Sequence, residues 1–287
     1  MNDHQYELDG FRFGRGLPVQ VAAFSRGAPA IVHQDVQRPG RDGLLMGRDV
    51  RGGAEWVFDL LVKADGEQGA TVALRELGSA WGGRDYAPGD LSVLRYRSAG
   101  RTRRVYGRAR QFEEFAVPHG QDAGLVPALA TFQLADPLHY DDEARVLDLA
   151  LTTTPEGVLT LPATLPWVLG GRAGQRQGEV HVGGDAPVPF EVTFYGPATG
   201  SASGFWAQGA GWRIDLDATL AWDQSATIDT RASTVTRSDG RSLAGAARGR
   251  FLTARLSPGQ QEISWGCTDA TGTARMTLTH RPGYYSI

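Results

Sequence analysis

Short apolar runs with a period of two, each cut off by glycine or proline, constrain this chain more than any other feature. Glycine supplies 38 of the 287 residues, and it is spread along the chain rather than clustered. That punctuation leaves room for strands and tight turns. In Glu55 to Val62, the residues Trp56, Phe58, Leu60 and Val62 fall on one face, as in a half-buried strand, and Gly52-Gly53 supplies a turn before it. Ala128 to Ala135 repeats the pattern with Ala128, Ala130, Phe132 and Leu134. It stops at Asp136-Pro137, where proline cannot donate a ladder hydrogen bond. Leu91 to Arg97 and Thr102 to Arg110 flank Ser98-Ala99-Gly100 as the arms of a hairpin rich in arginine (Arg95, Arg97, Arg101, Arg103, Arg104, Arg108 and Arg110).

One segment breaks the period of two. From Glu67 to Trp81, the residues Ala70, Ala73, Leu74, Leu77, Ala80 and Trp81 recur at three and four, the stripe of an amphipathic helix. Gly82-Gly83 is expected to stop it through a left-handed cap. The stretch Thr152 to Pro166 is rich in proline and threonine and reads as a linker. Beyond Glu179 the expected strands are Val188 to Tyr195, Trp212 to Leu216, Ala226 to Thr230, Arg250 to Leu256, Glu262 to Cys267 and Ala274 to His280. Turn formers separate them, as in a β-sandwich. The chain therefore reads as mainly β, with a first domain over 1–150, a linker over 151–165 and a second domain over 166–287.

The chemistry that the sequence offers is sparse. A formal net charge of -3 gives no whole-chain basic field for nucleic acid. The single Cys267 excludes a disulfide framework within the chain and a zinc site built on several thiolates. The first residues lack the basic start and apolar core of a signal peptide, and no apolar run reaches the ~20 residues of a membrane-spanning helix, so folding in a reducing cytoplasm is expected. Lys63 is the only lysine, which points to GC-rich coding and a high-GC, actinobacterial host. Gly10, Gly14 and Gly16 lack the Lys-Ser/Thr pair of a phosphate loop. No two histidines stand four apart, and Gly200 to Gly204 has Ala202 where a nucleophile elbow needs serine. Asp136, Asp141, Asp142 and Glu143, and then Asp215, Asp217, Asp223 and Asp229, match no calcium loop and read as turn residues. No catalytic, cofactor or metal residue is expected. The arginine hairpin, at Arg101, Arg103 and Arg104 above all, reads as a subunit-facing surface, because arginine is enriched at protein interfaces and only Tyr96 and Tyr106 interleave it.

The ordered succession of several weaker motifs resembles a known family. Val126 to Tyr140 places a central Phe132 before Asp136-Pro137 and Tyr140, and Arg38-Pro39-Gly40-Arg41-Asp42-Gly43 precedes the Gly47 to Val62 strand. Pro187 to Pro197 ends in Phe194-Tyr195-Gly196-Pro197. Gln224 to Thr230, Arg255 to Ile263 and the closing Arg281-Pro282-Gly283-Tyr284-Tyr285 follow. In that order they resemble the distal tail proteins of long-tailed bacteriophages, over nearly the whole chain. The resemblance implies a β-sandwich-like first domain with a helix and a projecting hairpin, closing into a hexameric ring around a channel for the genome. It implies a galectin-like second sandwich outside, and no catalytic residue. The implied partners are the tail-tube protein and the tail-tip hub, with the tape measure protein and receptor-binding or fibre proteins also in reach. No membrane and no sequence-specific nucleic acid is implied, and the implied location is the virion. The competing expectation is a carbohydrate-binding sandwich in which Trp206, Trp212 and Trp222, with Trp265 beside them, stack on sugar faces. The opposing reading puts these rings in the core.

Overall fold

The computed structural model describes residues 1–115, 118–151, 173–198, 204–269 and 271–286. The expected linker over 151–165 lies almost wholly outside the described residues. The chain forms two compact units, Met1–Asp142 with Tyr285–Ile287, and Glu143–Tyr284.

The first unit is built on a curled antiparallel sheet. Its strands begin with β1 (Gln5–Leu8), β2 (Phe11–Gly14) and β3 (Val19–Arg26). A long arm follows, made of β4 (Ile31–Val32), β5 (Val36–Gln37), β6 (Leu44–Leu45) and β7 (Val50–Arg51). The chain returns through β8 (Glu55–Lys63), α1 (Gly66–Gly82), β9 (Ser92–Ser98), β10 (Arg101–Glu114), the short α2 (Pro118–Asp122), β11 (Leu125–Leu134) and β12 (His139–Asp141). The strand order is β2-β1-β9-β10-β11-β8-β3, with β12 against β10.

The period-two face of β8 goes inward as expected: Trp56, Phe58, Leu60 and Val62 are buried and Glu55, Asp59 and Lys63 exposed. Tyr6 and Phe13, from one end of the strand order, pack edge-on against Phe58 at 5.3 and 5.5 Å, near the other end. The sheet therefore closes on itself around an aromatic core, and α1 lays Ala70, Ala73, Leu77 and Trp81 over it. Burial of Trp81 leaves an indole N–H to satisfy, and Nε1 donates to the Thr131 carbonyl at 2.8 Å. The helix ends differently from expectation. Gly83 has φ -82°, so no left-handed cap closes it, and its N–H returns to the Ser79 carbonyl.

The arginine hairpin forms in the expected place, and Ala99 (φ 50°) with Gly100 (φ 75°) make the left-handed turn that a two-residue connection demands. It does not project. β9 and β10 sit at the middle of the strand order, and the element that stands off the sheet is the arm between β3 and β8.

The second unit is a β-sandwich. β13 (Arg145–Ala150), β14 (Ala173–Val182), β15 (Phe190–Tyr195), β16 (Phe205–Gly209), β17 (Trp212–Leu216), β18 (Ser225–Asp229), β19 (Thr234–Arg237), β20 (Ala247–Gly249), β21 (Gly259–Thr268) and β22 (Arg275–His280) form two five-stranded antiparallel sheets among the described residues. Their orders are β13-β22-β15-β18-β19 and β14-β21-β16-β17-β20. Phe194 of one sheet meets Phe205 and Trp265 of the other at 5.1 and 6.4 Å, which is how two sheets share one core. β13, counted with the first domain in the sequence, pairs with β22 in this sandwich. Arg250 to Leu256, expected as a strand, is instead a turn and bend, with Leu252 exposed. It is tied down at its ends, by reciprocal backbone bonds of 2.9 Å between Leu256 and Val188 and by the Arg250 N–H to the Arg213 carbonyl at 3.2 Å.

Cys267 is buried on β21. Burial pushes its thiol up to about 12, and the charge of Asp269 adds to that. A thiol without thiolate is a poor nucleophile. The folded protein at pH 8 should therefore resist alkylation by iodoacetamide, and Cys267 should react fully once urea unfolds the chain. Mass spectrometry of the adduct checks this.

Candidate assembly surfaces

The arm is the most exposed apolar element. Every residue from Ala28 to Arg51 is exposed. Among them are Ile31 (50%), Val32, Val36, Leu44, Leu45, Met46 (80%) and Val50, half of the large exposed hydrophobics of the described residues. The arm continues the β3·β8 ladder through a Gly27 N–H to Glu55 carbonyl bond of 2.9 Å, and then pairs only with itself. Ile31 faces Arg51 and Val32 faces Val50; farther out, Val36 faces Leu45 and Gln37 faces Leu44. Two-residue ladders with both faces wet do not support themselves in water. Contiguous apolar surface of this kind marks a contact site. The signal was present in the sequence as short apolar runs, Ile31-Val32 and Leu44-Leu45-Met46, on either side of Pro39-Gly40, but the runs are too short to show a strand period.

Arg95, Arg97, Arg104 and Arg108 of the hairpin find partners inside their own unit. Arg12 donates to Glu7 at 2.8 Å, Arg95 bridges Glu7 at 2.5 Å and Asp142 at 3.1 Å, and Arg104 closes the row on Asp142 at 2.8 Å through Nε. Burial alone would raise the Glu7 carboxyl, but hydrogen bonds from Arg12 and Arg95 outweigh it and hold the group below its usual value. Arg108 donates to the Asp90 and Ala87 carbonyls at 2.8 and 2.7 Å. Arg103 lies on the opposite face, buried, at the register position of Tyr96, whose hydroxyl meets His139 Nδ1 at 2.8 Å. Of the three expected contact residues, Arg101 alone is exposed. Arg104 is 11% exposed along its side chain and holds a partly buried carboxylate. Arg104→Ala should accordingly cost about 1–3 kcal/mol of unfolding free energy, read by urea denaturation, through loss of charge-assisted bonds.

The tryptophans are dispersed in role. Trp212 is buried against Phe190, with ring centroids 4.6 Å apart, and Trp265 is fully buried. Arg213 covers the Trp206 ring at 5.0 Å and is itself held by Asp215 at 2.7 Å. Trp222 stands 81% exposed. The acidic clusters are likewise engaged. Asp229 accepts from the Arg231 N–H at 2.7 Å, and Asp136 accepts from the Leu138 N–H and the Tyr140 hydroxyl at 3.0 Å. Among the described residues no three His, Cys, Asp or Glu side chains converge as metal ligands.

No family model and no curated protein matches the sequence. Its fold, however, is one shared by components of phage adsorption machinery. The crystal structure of the SPP1 Dit (gp 19.1) protein, described as a paradigm of hub adsorption apparatus in phages infecting Gram-positive bacteria, is similar with a TM-score of 0.57 and 15% identity, over 97% of this chain and 98% of that one. Chains of the phage P2 baseplate in its activated conformation, solved with Ca and with Sr, are similar with TM-scores of 0.53 and 11% identity, over 96% of this chain and 97% of theirs. At these identities the likeness defines the fold, from end to end of both units.

Proposed function

We propose that this chain is a structural, non-enzymatic component of a phage tail tip: a distal tail protein whose first unit closes into a hexameric ring around the genome channel. The fold likeness along the whole chain supports the tail-tip class. The arm is the single observation that carries the ring. It presents exposed apolar side chains and unpaired strand edges, to be covered by a different surface of a neighbouring copy. A heterologous contact of this kind, repeated head to tail, generates a closed ring when its rotation closes. Ring formation is assigned to the first unit, Met1–Asp142, and the second, Glu143–Tyr284, is proposed as an outer, galectin-like sandwich. Arg101 is the hairpin residue left for contact. The proposed neighbours are the tail-tube protein on one face and the tip hub on the other, with the tape measure protein and the receptor-binding or fibre proteins near them. The proposed location is the virion. The high-GC host expectation rests on coding composition alone.

Electron micrographs of the purified full chain test this directly. Annular particles with a central opening are expected, and fields of single small particles at every concentration would contradict it. A second reading, glycan binding by the second unit, is favoured only by the exposed ring of Trp222. A glycan array should show no hit that Trp222→Ala abolishes.

A further inference from the structure

A cavity of about 720 Å³ opens on the first unit beside β3, where the arm departs. His4, Arg15, Arg26 and Arg97 line it together with Tyr6 and Tyr96, and none of its lining residues is Asp or Glu. This basic concentration belongs to a chain whose net charge is -3. Arg97 is already matched, by Asp3 at 3.4 Å. Arg15 and Arg26 carry no ion pair among the described residues.

Arg26 is nevertheless held in place. Its guanidinium lies over the rings of Phe24, Trp56 and Tyr96 at 5.2, 5.8 and 5.7 Å. Stacking of this kind fixes a guanidinium without consuming its N–H donors. Tyr6 is equally fixed, with Phe13, Phe24 and Phe58 at 5.3, 5.5 and 5.3 Å around its ring. Its hydroxyl has no hydrogen-bond partner among the described residues, although the residue is only 8% exposed. Burial raises the phenol above its usual value, more than the nearby Arg26 charge lowers it, so at neutral pH the group is an O–H donor. A hydroxyl without a partner on a buried tyrosine, beside the fixed guanidinium of Arg26 and the exposed one of Arg15, is a receptor for something rich in acceptors.

We propose that this cavity binds an oxyanion, a carboxylate or phosphate group, gripped by Arg26 and Arg15 and oriented by the Tyr6 hydroxyl. The group comes either from a free ion or from an acidic side chain that a protein neighbour inserts. Isothermal titration calorimetry of the full chain with sodium phosphate, and separately with a hexaglutamate peptide, at ionic strength held constant with sodium chloride, distinguishes the two. Saturable binding of one or both probes is expected. The tighter one identifies the source: phosphate a free ion, the peptide a protein carboxylate. Arg26→Gln should weaken it by about tenfold or more, and Tyr6→Phe, which keeps the stacked ring, by several fold. Unchanged unfolding midpoints confirm that both variants fold. No saturable heat with either probe, or affinities unchanged in both variants, would overturn the site.

Discussion

Joining Gly27 directly to Gly52, so that Ala28 to Arg51 are removed, should abolish self-association and leave the first unit folded. The folding half of this expectation follows from burial. Every removed residue is exposed, and the aromatic core around Phe58 draws nothing from the arm. The Gly27 and Gly52 backbones already lie at the root of the hairpin, where Gly52 donates to the Ala30 carbonyl. The assembly half follows from area. Seven apolar side chains, each 46–80% exposed, lose their only reason for being conspicuous if nothing covers them. Burying half of that surface in a neighbour contributes on the order of 5–10 kcal/mol. Its loss therefore weakens association by more than ~10³-fold. Sedimentation velocity of the deleted chain beside the full one reads the effect. A deleted chain that still assembles would move the interface elsewhere, to Arg101 and the hairpin turn first.

The second large effect is with acid. His139 in the first unit and His280 in the second are both buried and both held down to about 4. Burial is the main cause in each, and neighbouring guanidinium charge adds to it, from Arg26 and Arg103 at His139 and from Arg145 at His280. In the unfolded chain both take up a proton near the ordinary 6.5. Between those values the unfolded state binds more protons than the folded one, so stability rises with pH through the window and is lost as pH falls from 6.5 toward 4. At about 1.4 kcal/mol per pH unit, each unit should be less stable at pH 4.5 than at pH 7.5 by roughly 2–3 kcal/mol. Urea unfolding at the two pH values measures it. His139→Gln and His280→Gln should each flatten the pH dependence of their own unit, and a slope unchanged in both would assign the effect to carboxylates instead.

What the sequence disclosed, and what it hid, divides along a physical line. β8, α1 and β17 were legible because each buries one face against a single core, so the period of two or of three to four survives in the residues. The turn at Ala99-Gly100 was legible because Gly100 takes positive φ without strain. β13, β14 and β19 were missed: Arg145–Ala150, Ala173–Val182 and Thr234–Arg237 carry polar residues on both faces, and their pairing is decided by neighbours such as β21 and β22. Arg250 to Leu256 misled in the opposite direction, since alternation alone does not say whether a partner strand is present. The arm was hidden for a further reason. Its apolar residues join no core cluster among the described residues, so no periodicity of burial records them. The roles of Arg103 and Arg104 depended on Tyr96 and Asp142, one across a strand pair and the other far along the chain, which no local pattern reports.

Self-association through the arm is tested most directly by mass in solution. Light scattering coupled to size exclusion, run on the full chain over a hundredfold range of concentration, should give a particle of six times the chain's 30.9 kDa, unchanged on dilution. A mass of one chain across the whole range would contradict it.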